Sequence, residues 1–198
     1  MALPRVTEMA HELVARHLRP GGRAIDATVG NGHDTLFLAT CIGTAGRVDG
    51  FDIQPEAIAA TAAKTADLPQ VRLHLLGHEE MGRIVAGPVD AILFNLGYLP
   101  SGDKGLATRP ATTLAALDAA LGLLSETGLL AVVAYPGHEG GREEASAVEK
   151  WFQNAQGLRV VRYAPLPRPS GNEPPCLLVA ERRARTVDGD HSSFIVQE

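Results

Sequence analysis

The stretch RAIDATVGNGHDTLF, residues 23–37, decides the fold of this chain. Its apolar start ends in Asp26, passes through Gly30 and Gly32, and continues into a segment with helical character from His33. A strand that enters a glycine-bearing loop and then a helix leaves backbone N–H groups free in a concave turn, where glycine allows a ligand to approach closely. The stretch therefore predicts an α/β unit that binds a nucleotide-like ligand.

The spacing of this loop indicates which nucleotide. A dinucleotide-binding loop requires G-x-G-x-x-G, and Thr35 stands where its third glycine would be. Asp26 lies four positions before Gly30, which gives the pattern acid-x-x-x-G-x-G. That pattern is typical of methyltransferases that use S-adenosylmethionine (SAM), where the acid lies near the charged amino acid moiety and would repel a pyrophosphate. An ordinary glycine-rich turn between strand and helix is the alternative interpretation.

Composition indicates a globular protein with an acidic balance. The 198 residues carry a net charge of −5, and 45% of them are hydrophobic. We expect a single domain over residues 1–185, a polar tail over 186–198, no disulfide framework from the two cysteines, and a cytoplasmic location. Contact with nucleic acid then requires a local basic surface. The candidate cations are Arg159, Arg162, Arg168, Arg182, Arg183 and Arg185.

Helical and strand patterns alternate along the chain. We predict helices at 5–18, 33–41, 55–66, 79–85, 111–125 and 141–155, and strands at 23–28, 46–53, 71–76, 89–95, 129–135, 158–163 and 176–182. The proline-rich segment 165–175 is too short for a crossover helix, so the last two strands should pair antiparallel. The predicted fold is a Rossmann-like α/β class I methyltransferase fold, with a seven-stranded, mostly parallel sheet and a C-terminal β-hairpin.

Polar residues follow several of the predicted strands, and in such sheets ligands bind at the carboxyl ends. Asp52 closes the second strand, where a carboxylate can accept hydrogen bonds from ribose hydroxyls. Ile53 would flank the adenine, and His78 with Glu79 would lie at its edge, although Glu79 equally suits a helix cap. The predicted cofactor-binding residues are Asp26, Gly30, Asn31, Gly32, His33, Asp34, Thr35, Asp52, Ile53, Gln54, His78, Glu79, Asn95 and Gly97.

The segment FNLGYLP, residues 94–100, places the amide of Asn95 at the end of a buried strand and Tyr98 just beyond it. It is similar to the Asn-Pro-Pro-Tyr loop of amino-directed methyltransferases. There the amide oxygen and a backbone carbonyl accept hydrogen bonds from the target amine, and the aromatic ring packs on the target group. Such acceptors orient the nitrogen lone pair and stabilise charge that develops on nitrogen. A structural β-turn is the alternative interpretation.

Five motifs together resemble one family of bacterial enzymes. The motifs are DATVGNGHDTLFLA, GFDIQPEAI, FNLGYLPSGDK, AYPGHEGGREE and NEPP, and the resemblance covers residues 5–182. They are similar to the MnmM/YtqB methyltransferases, historically labelled rRNA methylases. The resemblance implies a SAM-dependent enzyme that methylates the exocyclic amine of 5-aminomethyl-2-thiouridine at position 34 of tRNA, in the anticodon loop.

An alkylamine with a pKa of about 10 is protonated near pH 7, so the reaction must remove a proton. Candidate acceptors are Asp103, His138 and His33, and loss of the proton to water before binding is the alternative. The predicted catalytic residues are Asn95, Tyr98, Asp103 and His138, and the predicted substrate-binding residues are Leu99, Lys104, Arg109, Arg168 and Asn172. A homodimer through the apolar faces of the first helix and the last hairpin is a further expectation.

Three other functions compete with this interpretation. The first is methylation of a small-molecule amine or of a base in ribosomal RNA. The second is an NAD-dependent oxidoreductase, which the incomplete dinucleotide motif and the Asn-Leu-Gly-Tyr loop disfavour. The third is a protein that binds SAM without catalysis, which the full set of polar groups at the strand ends disfavours.

Overall fold

The computed structural model describes residues 3–99, 107–137, 140–166 and 173–182. The helices are α1 Val6–His17, α2 His33–Ile42, α3 Pro55–Lys64, α4 Met81–Ile84, α5 Pro110–Leu123 and α6 Gly141–Asn154, with a 3₁₀ turn over His78–Glu80. The strands are β1 Arg23–Asp26, β2 Arg47–Asp52, β3 Val71–Leu75, β4 Val89–Asn95, β5 Leu124–Ala134, β6 Leu158–Tyr163 and β7 Cys176–Arg182. The predicted tail over 186–198 lies outside the described residues.

The seven strands form one sheet in the order β3-β2-β1-β4-β5-β7-β6. The first five strands in this order run parallel, and β7 pairs antiparallel with both β5 and β6. The sheet and its antiparallel C-terminal pair confirm the predicted fold class. The strand order reverses between β1 and β4, and such a switch point opens a ligand-binding crevice at the carboxyl ends of the strands.

Two apolar layers cover the faces of the sheet. Alternate residues of β4 point into opposite layers, because Ile92 and Phe94 join the cluster that includes α5 and α6, whereas Ala91 and Leu93 join the cluster that includes α1 and α2. Burial on both faces explains why β4 reads as a nearly continuous apolar run. The strand therefore fixes Asn95, its last residue, relative to both layers.

The start of β5 differs from the prediction. Helix α5 ends at Leu123, and β5 begins at Leu124 rather than at residue 129. Leu124 pairs with Val89, and the register then shifts before Ala91 pairs with Leu129. A β-bulge accommodates such extra residues within a strand. The polar sequence SETG hides this extension from sequence patterns.

The apolar face of α1 is already used within the chain. Val6, Ala10 and Val14 are buried in the layer that also contains Leu177 and Val179 of β7. These apolar side chains of α1 pack on the sheet of the same chain, and a homodimer through α1 and the last hairpin stays a prediction. Within the described residues, no helix has the length and apolarity needed to cross a membrane.

Candidate active site

A cleft of about 770 Å³ opens at the carboxyl ends of β1, β2 and β4. This volume lies within the range typical of small-molecule sites. The loop after β1, the ends of β2 and β4 and the segment before α5 build most of its wall. The lining residues that carry polar side chains are Thr28, Asn31, His33, Asp34, Asp52, Gln54, His78, Glu79, Asn95, Tyr98, Thr108, Arg109, Thr112, Tyr135 and Glu173.

Asp26 supports the loop after β1 from behind the cleft wall. Its side chain is fully buried, and its two oxygens accept hydrogen bonds from the Thr28 backbone N–H at 3.1 Å and the Thr35 hydroxyl at 2.5 Å. Burial, with the charge of nearby Asp34 adding to it, raises the pKa of Asp26 to about 7. The sequence pattern predicted Asp26 on the cleft surface beside the amino acid moiety. The structure instead places its buried side chain behind the cleft wall. The position before the loop needs a buried acceptor that can join both ends of the turn.

The glycines of this loop serve different purposes. Gly30 lines the cleft with φ +49°, a left-handed conformation that glycine adopts readily. Gly32 has φ +76°, and a Cβ placed there would lie 2.5 Å from the Thr61 hydroxyl oxygen on α3. Gly32 and Thr35 stand outside the cleft lining, so the structure assigns them to the packing of the loop.

Asp52 joins the loop after β1 to the end of β2. One carboxylate oxygen accepts the Gly30 N–H and the other accepts the Gln54 N–H, each at 2.9 Å. A carboxylate oxygen has more than one acceptor site, so both oxygens keep capacity toward the cleft. This donor-acceptor set fits two neighbouring hydroxyl groups, as in a ribose.

The side of the cleft beyond β2 is apolar with a polar edge. Ile53 is 54% exposed and lines the cleft, which leaves an apolar surface for a flat ring. The His78 ring is buried, and its Nδ1 lies 3.3 Å from the Ala27 carbonyl oxygen. Burial lowers the pKa of His78, although the charge of Glu79 opposes this effect. A neutral His78 that donates from Nδ1 keeps Nε2 as an acceptor.

Asn95 is fixed at the end of β4 by two hydrogen bonds. Its backbone N–H donates to the Thr28 hydroxyl at 2.7 Å, and its side-chain NH₂ donates to Asp34 Oδ2 at 3.2 Å. A carboxylate accepts hydrogen bonds and cannot donate them, so the amide turns its NH₂ group toward Asp34. The Asp34 carboxylate therefore sets the orientation of the Asn95 side-chain amide. The Oδ1 atom of Asn95 is thereby left as the acceptor.

The loop after Asn95 is attached to α6 through Thr108. The Thr108 N–H donates to the Gly97 carbonyl, and the Gly97 N–H donates to the Thr108 hydroxyl, each at 2.9 Å. The Thr108 hydroxyl in turn donates to Glu144 at 2.7 Å, and Glu144 also accepts the Thr113 hydroxyl at 2.7 Å. Glu144 is 2% exposed, so this network anchors the wall of the cleft to the interior.

Carboxylates outnumber basic side chains among the described lining residues. Asp34, Asp52, Glu79 and Glu173 face the cleft, whereas Arg109 is its one arginine in the part of the chain that is described. Glu173 forms an ion pair with Arg142 at 3.2 Å. This charge distribution favours a cationic ligand, such as a sulfonium or an amine, over a polyphosphate.

The structure brings most of the predicted site residues together. The predicted residues that line the cleft are Gly30, Asn31, His33, Asp34, Asp52, Ile53, Gln54, His78, Glu79, Asn95, Gly97, Tyr98, Leu99 and Arg109. Asp103, Lys104, His138, Arg168 and Asn172 lie outside the described residues.

The candidate basic surface is largely neutralised where it is described. Arg159 pairs with Glu181 at 2.5 Å, and Arg162 pairs with Glu149 at 2.7 Å. Arg182 donates to the backbone carbonyls of Leu121 and Leu124. These arginines therefore have structural partners, and the remaining members of the set, Arg168, Arg183 and Arg185, lie outside the described residues.

Sequence analysis missed several residues of the site. Thr28 lies within the quoted loop motif, so its hydroxyl was an available signal. Glu144 lies on the apolar face of α6 with Ala145, Val148 and Phe152, and a carboxylate in such a stripe is a signal of a buried network. His11 contacts Asp34 from 23 positions earlier in the chain, and no spacing rule connects the two residues.

The parallel sheet, the switch-point cleft and the acidic glycine-loop site together define a class I SAM-dependent methyltransferase. Residues 48–181 match the family described as "Putative rRNA methylase". The chain belongs to this family.

Individual relatives agree with the family. The chain is 41% identical over 158 residues to the "tRNA (mnm(5)s(2)U34)-methyltransferase, chloroplastic" of Arabidopsis thaliana, an alignment that covers 73% of the chain and 58% of that protein. The crystal structure titled "putative rRNA-methylase" from Clostridium thermocellum is 39% identical with a TM-score of 0.88, covering 92% of the chain and 100% of that structure. A "putative methyltransferase" from Streptococcus mutans in complex with SAH is 35% identical with a TM-score of 0.82, again covering 92% and 100%.

Proposed function

We propose that this protein transfers the methyl group of SAM to the exocyclic amine of 5-aminomethyl-2-thiouridine at position 34 of tRNA. The observation that carries the proposal is the 41% identity to the Arabidopsis enzyme, whose name assigns it a methyl transfer at mnm(5)s(2)U34 of tRNA. The alignment spans 58% of that relative's length, and the activity and substrate of the relative are therefore proposed for this chain. A cytoplasmic location stays a prediction from the sequence.

The cleft residues support an assignment of each part of SAM. We assign the ribose hydroxyls to Asp52, the adenine face to Ile53 and the adenine edge to His78 and Glu79. The amino acid moiety would then lie over the loop that includes Asn31 and His33. Support comes from the free acceptor capacity of Asp52, the exposed apolar surface of Ile53 and the acidic character of the cleft.

The target nitrogen would lie against Asn95. Its side-chain oxygen accepts one N–H of the amine, which directs the nitrogen lone pair toward the methyl carbon. The new N–C bond forms as the C–S bond breaks, and the thioether product keeps the electron pair of that bond. The Tyr98 ring, 37% exposed at the cleft, would pack on the pyrimidine that carries the amine.

Contact with the anticodon loop would come from the rim of the cleft. Arg109 is exposed there, and Leu99 contributes an apolar surface beside Gly30. Lys104, Arg168 and Asn172 stay predictions for the same rim. A homodimer is not required by any contact of the described residues.

Nucleoside mass spectrometry tests the proposal. Purified protein and SAM are incubated with tRNA that carries 5-aminomethyl-2-thiouridine, and the digested nucleosides are compared with a reaction lacking SAM. We expect the 5-methylaminomethyl nucleoside to appear at the expense of its precursor. Methyl transfer into ribosomal RNA or into a panel of small amines, with this tRNA left unmodified, would contradict the proposal.

A further inference from the structure

Asp34 is the carboxylate that touches the proposed amine site. Its Oδ2 accepts the side-chain N–H of Asn95 at 3.2 Å, and its Oδ1 lies 2.6 Å from Nε2 of His11 on α1. The Asp34 side chain lines the cleft and keeps 12% of its surface exposed. A group bound at Asn95 Oδ1 is therefore next to this carboxylate.

The other described carboxylates in or behind the cleft are assigned to other groups. Asp52 accepts two backbone N–H groups, and Glu173 is paired with Arg142. Asp26 is fully buried behind the wall and holds Thr28 and Thr35. Glu79 lies in the 3₁₀ turn after β3, and its carboxylate lies against Gly77.

His11 holds Asp34 in place. The His11 ring stacks on Phe37 with ring centroids 3.9 Å apart and an angle of 2° between the planes. This stack fixes the direction of Nε2, so the Nε2–H donates to Oδ1 of Asp34. Oδ2 is thereby the oxygen that His11 leaves available, and Asn95 is its hydrogen-bonding neighbour.

We propose that Asp34 is the catalytic proton acceptor of the reaction and that His11 is its positioning residue. This inference rests on the proposed function. The bound ammonium group R–CH₂–NH₃⁺ gives one proton to Oδ2 of Asp34, which yields the neutral amine R–CH₂–NH₂ and a carboxylic acid. The freed lone pair attacks the methyl carbon, and Asp34 returns its proton to water through the open cleft.

The surroundings of Asp34 are consistent with a carboxylate that shares its site with other titratable groups. The negative charge of Asp34 contributes to the raised pKa of Asp26 on β1 and of Tyr135 after β5. His11 from α1 contacts Asp34 directly. Burial raises the pKa of Tyr135, and the negative charge of Asp34 adds to that effect. Tyr135 therefore stays protonated at neutral pH and does not compete for the proton.

Single-turnover methylation at two pH values tests the proposal, with saturating SAM and tRNA carrying 5-aminomethyl-2-thiouridine. At pH 7 about 0.1% of a free alkylamine with a pKa of about 10 is neutral, whereas at pH 9.5 about a quarter is. We expect Asp34→Asn to lower the rate at pH 7 by about 10²-fold or more. The deficit should shrink at least about tenfold at pH 9.5, because the substrate then arrives without the extra proton.

His11 provides the second variant. His11→Phe keeps a ring to stack on Phe37 but has no donor for Asp34, so it should lower the rate at pH 7 by about tenfold. His11→Gln keeps an N–H donor and should recover most of that loss. If Asp34→Asn does not fold, the methylation rates of His11→Phe and His11→Gln at pH 7 and pH 9.5 test the same proposal.

The chain supplies a matched control for loss of a carboxylate. Asp49 on β2 contacts His74 at 2.9 Å, and His74 stacks on Phe51, so the pair resembles Asp34 with His11, but neither Asp49 nor His74 lines the cleft. Asp49→Asn should leave the ratio of the two rates unchanged. An Asp34→Asn deficit that is absent at pH 7, or equal at both pH values, would overturn the role of Asp34 alone. A wild-type protein that binds SAM and leaves this tRNA unmodified would overturn the proposed function and this inference together.

Discussion

At the scale of single residues, the site consists of carboxylates with different tasks. Asp26 is buried and structural, Asp52 keeps acceptor capacity toward the cleft, and Asp34 contacts Asn95. The sequence predicted that all three would gather at the strand ends, because each follows or closes a strand or opens a helix. It misplaced Asp26, since spacing alone does not distinguish a side chain behind the wall from one on its surface.

Asp26→Asn should change how stability depends on pH. The pKa of Asp26 is raised to about 7 from its ordinary value of 3.8, so its contribution to stability is full below about pH 4 and is lost as the pH rises through 7. An asparagine keeps the acceptor for Thr28 and stays neutral. The variant should therefore gain stability relative to wild type between pH 5 and pH 8, by up to about 1.4 kcal/mol per pH unit.

Urea denaturation of both proteins across this pH range measures the effect. The difference between their free energies of unfolding cancels the titration of groups that do not interact with Asp26. A difference that stays constant from pH 5 to pH 8 would show that Asp26 is ionised in the folded protein throughout.

At the scale of elements, the loop between β1 and α2 depends on glycine at one position for two reasons. Gly32 has a positive φ, and a Cβ there would meet Thr61 on α3 at 2.5 Å. Gly43, at the other end of α2, has φ +65° with nothing within 4 Å of its would-be Cβ. An alanine at Gly43 tests the backbone conformation alone, whereas an alanine at Gly32 tests the conformation together with the overlap with Thr61.

Gly43→Ala should cost about 1–3 kcal/mol of stability, because its φ of 65° with ψ of −176° is a conformation that is essentially restricted to glycine. Gly32→Ala should cost more, because Thr61 must also move, and it should weaken SAM binding through the displaced loop. Thermal or urea unfolding with calorimetric SAM titration checks both. Equal losses of stability in the two variants would mean that α3 moves enough to accommodate the added methyl group.

The network of Gly97, Thr108 and Glu144 connects the loop after β4 to α6. Thr108→Val removes a hydroxyl that serves both Gly97 and Glu144, so we expect kcat to fall about tenfold and stability to fall by about 1–3 kcal/mol. The affinity for SAM should change little, because Asp52 and the glycine loop are untouched.

Thr40→Val on α2 is the matched control, since its exposed hydroxyl bonds only to the Leu36 carbonyl of its own helix. Steady-state kinetics and calorimetry distinguish the two variants. A Thr108→Val enzyme with normal kcat would show that the Gly97 loop does not need this attachment.

Sequence patterns predicted the sheet because strand periodicity, glycine turns and the short final connection are local features. The bulge at the start of β5 escaped prediction, since its pairing of Leu124 with Val89 depends on a neighbouring strand. The contact of His11 with Asp34 escaped for the same reason, because packing of α1 on the sheet, rather than any local motif, brings them together.

At the scale of the whole molecule, the proposed tRNA substrate requires an acidic chain to bind a polyanion through a small basic area. The net charge is −5, and the described arginines of β6 and β7 are held by carboxylates or backbone carbonyls. Arg109, exposed at the rim of the cleft, is therefore the described cation best placed for RNA.

Arg109→Ala should weaken tRNA binding and lower the slope of log Kd against log salt concentration by about 0.7–1, as for one lost phosphate contact. Arg159→Ala, on β6 and paired with Glu181, should leave both quantities unchanged. Binding titrations at several salt concentrations measure the two slopes. Identical slopes for Arg109→Ala and wild type would remove Arg109 from the RNA surface.

We propose that Asp52 holds the methyl donor and that Asn95 holds the acceptor amine. The most direct measurement is calorimetric SAM affinity beside methylation turnover for Asp52→Ala and Asn95→Ala. We predict that Asp52→Ala loses SAM affinity, whereas Asn95→Ala keeps it and loses turnover by about 10²-fold. Unchanged SAM affinity in Asp52→Ala, or equal loss of affinity and turnover in Asn95→Ala, would contradict the account.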